Sequence, residues 1–206
     1  ICRNNISLEK ELKELYLNND LLWRDLMLQS LPEYKKVESE DFNKLNFDKD
    51  LLKIIRSKML PYIHQIKAWK NILENKNCVI ATGTGSGKTE GFFFPIINNL
   101  ITNENSGVKA IIIYPLKALA RDQGKRIGEY LDIVNKEKNT SLKYAILDGD
   151  TERSAPSGFD SEITVKEEML DSPPDILITN YVMLERILID PKYNKILNNS
   201  NIEYIV

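Results

Sequence analysis

From Cys78 onward, short and continuously apolar runs alternate with longer segments of helical periodicity, which predicts an α/β fold built on a parallel sheet. A second observation concerns residues 1–59. They hold apolar side chains at helical spacing and no strand-like run, so a helical N-terminal region is expected before the sheet. The third is compositional. Apolar residues make up 42% and charged residues 28%, the balance of a globular chain rather than a disordered one.

The helices come first. Ser7 can cap Leu8–Asn18, where Leu8, Leu12 and Leu15 form one stripe. A second stripe through Leu21, Leu22, Leu26 and Leu28, with Trp23, stops before Pro32. Residues 32–50 lack a period and read as a connector, followed by helices over Lys49–Met59 and Tyr62–Asn75. Strands are predicted at Cys78–Ala81, Lys109–Tyr114, Leu142–Leu147, Asp175–Thr179 and Ile202–Val206, with helices at Gly87–Thr102, Leu116–Lys138 and Asn180–Ile189 between them. The stretch from Asp148 to Pro174 reads as loop with one helical turn near Glu167. Right-handed crossovers then bring every strand's C-terminal end to one edge of the sheet, where ligands bind in such folds.

Thr82-Gly83-Thr84-Gly85-Ser86-Gly87-Lys88-Thr89 follows the first predicted strand and opens a helix. That context makes it a phosphate loop. Thr84, Gly85, Ser86 and Gly87 can turn backbone N–H groups toward phosphate oxygens, and the helix N-terminus adds partial positive charge. Lys88 supplies an ammonium for the β and γ phosphates, and Thr89 a hydroxyl for Mg²⁺. The strict pattern has glycine where this chain has Thr82. Upstream lies Pro61-Tyr62-Ile63-His64-Gln65. The Gln65 amide can pair bidentately with the N6 and N7 edge of adenine, which selects ATP over GTP. His64 is the sole histidine, which excludes a histidine metal cluster or triad; a hydrogen bond at the helix start is its expected role.

These residues resemble a known family. Ala81 to Glu90, with His64-Gln65 before it, is similar to the first motor domain of superfamily 2 DEAD/DEAH-box helicases. Tyr114-Pro115-Leu116-Lys117-Ala118-Leu119-Ala120 resembles motif Ia, Leu147-Asp148-Gly149-Asp150-Thr151 a glycine-containing turn, and Ile178-Thr179-Asn180-Tyr181-Val182-Met183-Leu184 motif Ib. In detail the set is most similar to the Lhr/YprA-like branch, some members of which belong to phage-defence systems. The resemblance covers about residues 60–206. It implies a RecA-like ATP-binding domain there, with ATP and Mg²⁺ as cofactors and a nucleic-acid partner, DNA in preference to RNA. Phage defence or DNA repair is the implied setting. It also implies an Asp-Glu-x-His motif directly after Val206, so the 206 residues read as an N-terminal piece of a larger enzyme, not competent for hydrolysis alone.

Pro115, Lys117, Thr179 and Asn180 sit where strands give way to helices and are the candidate nucleic-acid contacts. From Lys109 to Arg126, five basic residues (109, 117, 121, 125 and 126) face one acid, Asp122, a local charge of +4 within a net charge of −2. A generally basic nucleic-acid coat is excluded by that net charge. With no apolar stretch near the roughly 20 residues of a bilayer span, and few cysteines, a cytoplasmic location is expected. Residues 1–59 can offer a docking surface for protein partners. Two other classes share a phosphate loop, a small-molecule kinase and a nucleotide-gated scaffold without hydrolysis. A kinase does not explain Gln65 or the Pro115–Ala120 turn, and the residues after Val206 decide the scaffold reading.

Overall fold

The computed structural model describes residues 43–103, 107–149, 158–198 and 200–206. The two helices expected over Leu8–Asn18 and around Leu21–Leu28 lie outside the described residues, as do Asp150 and Thr151. In chain order the elements are α1 (Lys49–Lys58), α2 (Ile63–Leu73), α3 (Lys88–Thr102), β1 (Ala110–Ile113), α4 (Lys117–Lys138), β2 (Tyr144–Leu147), β3 (Glu162–Ile163), α5 (Lys166–Asp171), β4 (Ile176–Thr179), α6 (Tyr181–Ile189), α7 (Pro191–Asn194), a 3₁₀ turn (Lys195–Leu197) and β5 (Tyr204–Ile205).

The strands form one sheet in the order β3-β2-β4-β1-β5, and every pair is parallel. Ile112 lies opposite Ile178, and Ala145 opposite Leu177. Because side chains alternate along a strand, the continuously apolar runs supply both faces. Ala110, Ile112, Ile176, Ile178 and Tyr144 face a core shared with α1 to α4, where Leu51, Ile55, Trp69, Phe93, Phe94, Ile127 and Leu131 are buried. Ile111, Leu177, Ala145 and Leu147 face the other way, onto Met183, Ile187, Tyr193 and Ile196. Parallel pairing forces crossovers, and helices on both faces follow.

Local choices agree with this packing. Asp48 caps α1, its Oδ1 accepting from the N–H groups of Asp50 and Leu51 at 3.0 and 3.1 Å. Its Oδ2 accepts from Lys138 Nζ at 2.9 Å, which ties the start of α1 to the last turn of α4. Asn139, with φ of 53°, ends α4 in the left-handed conformation that asparagine tolerates. Trp69 sits edge-on to both Phe47 and Phe94, at centroid distances of 5.6 and 5.8 Å. Such pairs add to the burial of the rings.

One expected strand is not formed. Residues 78–81 join no ladder, and Val79 is 92% exposed. An apolar, β-branched run predicts extended backbone, whereas a strand also needs a hydrogen-bonded neighbour, and this run has none among the described residues. Conversely, β3 and α7 come from a stretch read as loop and from one with no assigned element. Two paired residues and a single turn are too short to leave a period in the sequence.

Candidate nucleotide and nucleic-acid sites

The glycine-rich loop wraps the N-terminus of α3. Gly85 and Gly87 have φ of 73° and 75°, values at which a side chain is strained, and Gly87 is the residue that caps the helix. Space is also closed at Gly87, because a Cβ there would stand 2.4 Å from Gln65 Nε2. Lys88 Nζ donates to the carbonyls of Thr82 and Gly83 at 2.9 and 2.8 Å, so the ammonium lies inside the loop's curve. Thr82 and Ser86 join through their hydroxyls at 2.6 Å. Thr82 thus stabilises the loop through a bond that glycine could not make. Thr84 and Gly85 are exposed at the loop's tip.

The first turns of α2 hold this loop from behind. Gln65 is fully buried. Its Nε2 donates to the Gly87 carbonyl at 2.8 Å, and its Oε1 accepts from the Tyr62 N–H at 2.8 Å. His64 Nε2 meets the Ser86 carbonyl at 2.9 Å; since a carbonyl only accepts, that nitrogen carries the proton. This bond links His64 to the loop 22 residues away. Trp69 Nε1 donates to the Glu90 carbonyl at 2.8 Å. With the Ser86 and Gly87 carbonyls pinned outward, the Gly87 and Lys88 N–H groups of the same two peptides face the opposite way.

A second set of bonds runs from the start of α3 to α4. Thr89 Oγ1 donates to Gln123 Oε1 at 2.6 Å, and the buried Glu90 carboxylate pairs with the Arg126 guanidinium. The other Glu90 oxygen and the Tyr114 hydroxyl are buried without a hydrogen-bond partner. Burial pushes the Tyr114 phenol up to about 12, with Glu90 adding to the rise and Arg126 opposing it. Helix α4 starts at the C-terminal end of β1, so these bonds set the phosphate loop beside the turns that follow β1, β2 and β4. In those turns Pro115 and Lys117 are exposed, and Lys117 Nζ lies near Gly149. Thr179 is buried and donates to the Leu147 carbonyl at 2.7 Å, while Asn180 caps α6 by accepting from the Met183 N–H at 2.9 Å.

The DEAD/DEAH box helicase family matches residues 62–206, the span that holds the loop, these three turns and the whole sheet. The chain belongs to that family. An ATP-dependent helicase of Methanocaldococcus jannaschii is 29% identical over 145 residues, covering 70% of this chain and 19% of its own length. The ATP-dependent helicase Lhr-Core of the same organism is 35% identical over 144 residues, covering 68% and 16% respectively. The solved structure of Mycobacterium smegmatis helicase Lhr bound to ssDNA and AMP-PNP superposes with a TM-score of 0.58 at 25% identity, covering 72% of this chain and 19% of that one. The chain spans a fifth or less of the length of these curated relatives. The helicase domain therefore has the RecA-like arrangement, a parallel sheet flanked by helices.

Within this helicase domain the basic run from Lys109 to Arg126 is largely spoken for. Lys109 is 1% exposed, donates to the Asn103 carbonyl at 3.0 Å and lies 3.8 Å from Asp175. Arg121 pairs with Asp148 at 3.2 Å, and Arg126 with Glu90. The +4 counted along the sequence is offset in space by acids from other elements. The sequence places Arg126 in the basic run and Glu90 at the end of the loop motif, and gives Gln123 no role. Their link joins positions 34 and 36 apart, and no local pattern announces it.

Proposed function

We propose that this chain is the ATP-binding lobe of an ATP-dependent helicase or translocase that moves on nucleic acid, with DNA preferred over RNA. The observation that carries the reading is the left-handed Gly85 and Gly87 at the head of α3, with Lys88 and Thr89 following, at the same sheet edge as the exposed Pro115–Lys117 turn. The residues fit Mg–ATP. Lys88 already satisfies itself on loop carbonyls, a role phosphate oxygens would take over, and the Thr89 hydroxyl in the first turn of α3 would hold the Mg²⁺. When bound, Mg–ATP supplies the phosphoryl group whose transfer to water drives movement. Thr84, Gly85, Ser86 and Gly87 would hold its phosphates through backbone N–H groups. Gln65 would read adenine, exchanging a bond to loop or cap for one to the base.

On the nucleic-acid side, Pro115 and Lys117 would meet backbone phosphates. Thr179 and Asn180 would contribute by shaping the second turn, since the Thr179 hydroxyl and the Asn180 amide oxygen are engaged within the fold. Action in the cytoplasm, in phage defence or DNA repair, completes the proposal. Among the described residues no helix is long and apolar enough to cross a membrane.

The test is ATPase activity of the full-length protein with and without single-stranded DNA or RNA. DNA stimulates the rate, Lys88→Ala abolishes it, and Gln65→Ala weakens ATP more than GTP. An unchanged rate in Lys88→Ala sinks the assignment, and equal loss for both nucleotides sinks the adenine role of Gln65. Survival of cells lacking the protein under phage challenge or DNA damage separates the two biological settings.

A further inference from the structure

We infer that Gln123 is a positioning residue for the Mg²⁺ site, acting by fixing the direction of the Thr89 hydroxyl. This rests on the reading of the loop as an Mg–nucleotide site. The argument starts from the amide. Gln123 is buried at 8% exposure on the second turn of α4, and its two ends meet different groups. Nε2 lies 3.1 Å from Asp122 Oδ2, and Oε1 lies 2.6 Å from Thr89 Oγ1. A carboxylate only accepts, so the amide nitrogen must face Asp122 and the amide oxygen must face Thr89.

That orientation leaves Thr89 one option. A hydroxyl has one proton and two lone pairs, and the proton is now committed to Gln123. Both lone pairs are then turned away from α4, free for a cation. A threonine without such an acceptor could point its proton toward the metal position and repel it. The bond also connects two elements. Thr89 opens α3, whereas Gln123 belongs to the helix that grows out of the Pro115–Lys117 turn, and Glu90–Arg126 runs beside it from the next residue of α3. Residues of this kind, which orient a ligand without touching the metal, alter metal affinity by about 10-fold or more when removed.

The experiment measures affinity of the full-length protein for a fluorescent N-methylanthraniloyl-ATP, once with excess Mg²⁺ and once in EDTA. The readout is the ratio of the two affinities, independent of turnover. Gln123→Met keeps the side-chain volume and removes the acceptor; it is expected to reduce the Mg²⁺-dependent gain about 10-fold while leaving affinity in EDTA within about twofold. Gln123→Glu retains an acceptor oxygen and restores the gain. Thr89→Ala loses the gain as well, and adding Gln123→Met to it changes nothing further, as expected of two groups acting as one. A full Mg²⁺-dependent gain in Gln123→Met, alongside its loss in Thr89→Ala, overturns the inference and leaves the nucleotide site standing. Equal weakening with Mg²⁺ and in EDTA overturns it too, because the amide then only packs. Absence of nucleotide binding by the unmutated protein fails the underlying reading instead.

Discussion

At the phosphate loop, the side chains behind the backbone are bonded to it. Gln65, His64 and Trp69 hold carbonyls from one helix, and Gln123 and Arg126 hold side chains from another. The turns after β1 and β4, at the same sheet edge, are built the opposite way: Leu116, Tyr181 and Val182 are 64%, 68% and 57% exposed. On the proposed function, the difference suits each surface to its ligand. A triphosphate is small and highly charged, so its site must have donors fixed beforehand, with little reorganisation on binding. A nucleic-acid strand is long and repetitive, and can be held by a shallow surface that sets backbone shape and leaves the contacts to exposed atoms.

The largest expected effect breaks the braced side. Arg126→Ala strands the Glu90 charge, already buried with one oxygen unpartnered, and should destabilise the domain by about 2 kcal/mol in urea unfolding; the half-exposed guanidinium keeps the figure below that of a fully buried pair. A loss below a few tenths of a kcal/mol would mean that water takes the place of the guanidinium at Glu90. The open side should respond differently. Lys117→Ala is expected to weaken DNA a few-fold and lower the slope of log affinity against log salt by about 1, with nucleotide affinity unchanged. An unchanged slope removes Lys117 from the phosphate contacts. The smallest effect lies away from both, at the α1–α4 contact. Burial alone would raise the Asp48 carboxyl, but the Lys138 ammonium and the Leu51 and Asp50 N–H groups outweigh it and hold it below its ordinary value. A depressed carboxyl stabilises the fold near neutral pH, and that contribution is lost as pH falls through the ordinary carboxylate range. Asp48→Asn keeps the cap and should flatten this dependence by about 0.5 kcal/mol, since the cluster is open to water. Identical pH profiles for the two proteins would show that the cap alone matters.

Much of this comparison was legible in the residues themselves. Helices α1, α2, α3, α4 and α6 and strands β1, β2, β4 and β5 follow the expected positions to within three residues, because long apolar stripes and continuously apolar runs encode their own burial. The loop was legible for a different reason: Gly85 and Gly87 stand where left-handed backbone is required. What stayed hidden depends on distance along the chain. Residues 78–81 look like a strand, yet strandhood belongs to a pair. The basic run looks like a charged face, yet Asp148, Asp175 and Glu90 arrive from elsewhere to meet it. Gln123 reads as an ordinary polar residue on a helix until α3 is set beside it.

Trp69 has a use beyond packing. Its indole is wholly buried, yet its N–H reads the Glu90 carbonyl, one residue past Thr89 in the first turn of α3. Indole emission is sensitive to the field and hydrogen bonding around the ring, so any shift of that turn changes its colour or yield. With two tryptophans in all, replacing Trp23 by phenylalanine leaves a single emitter beside the phosphate loop. The chain thus carries its own optical probe, placed by the fold where an added dye would intrude.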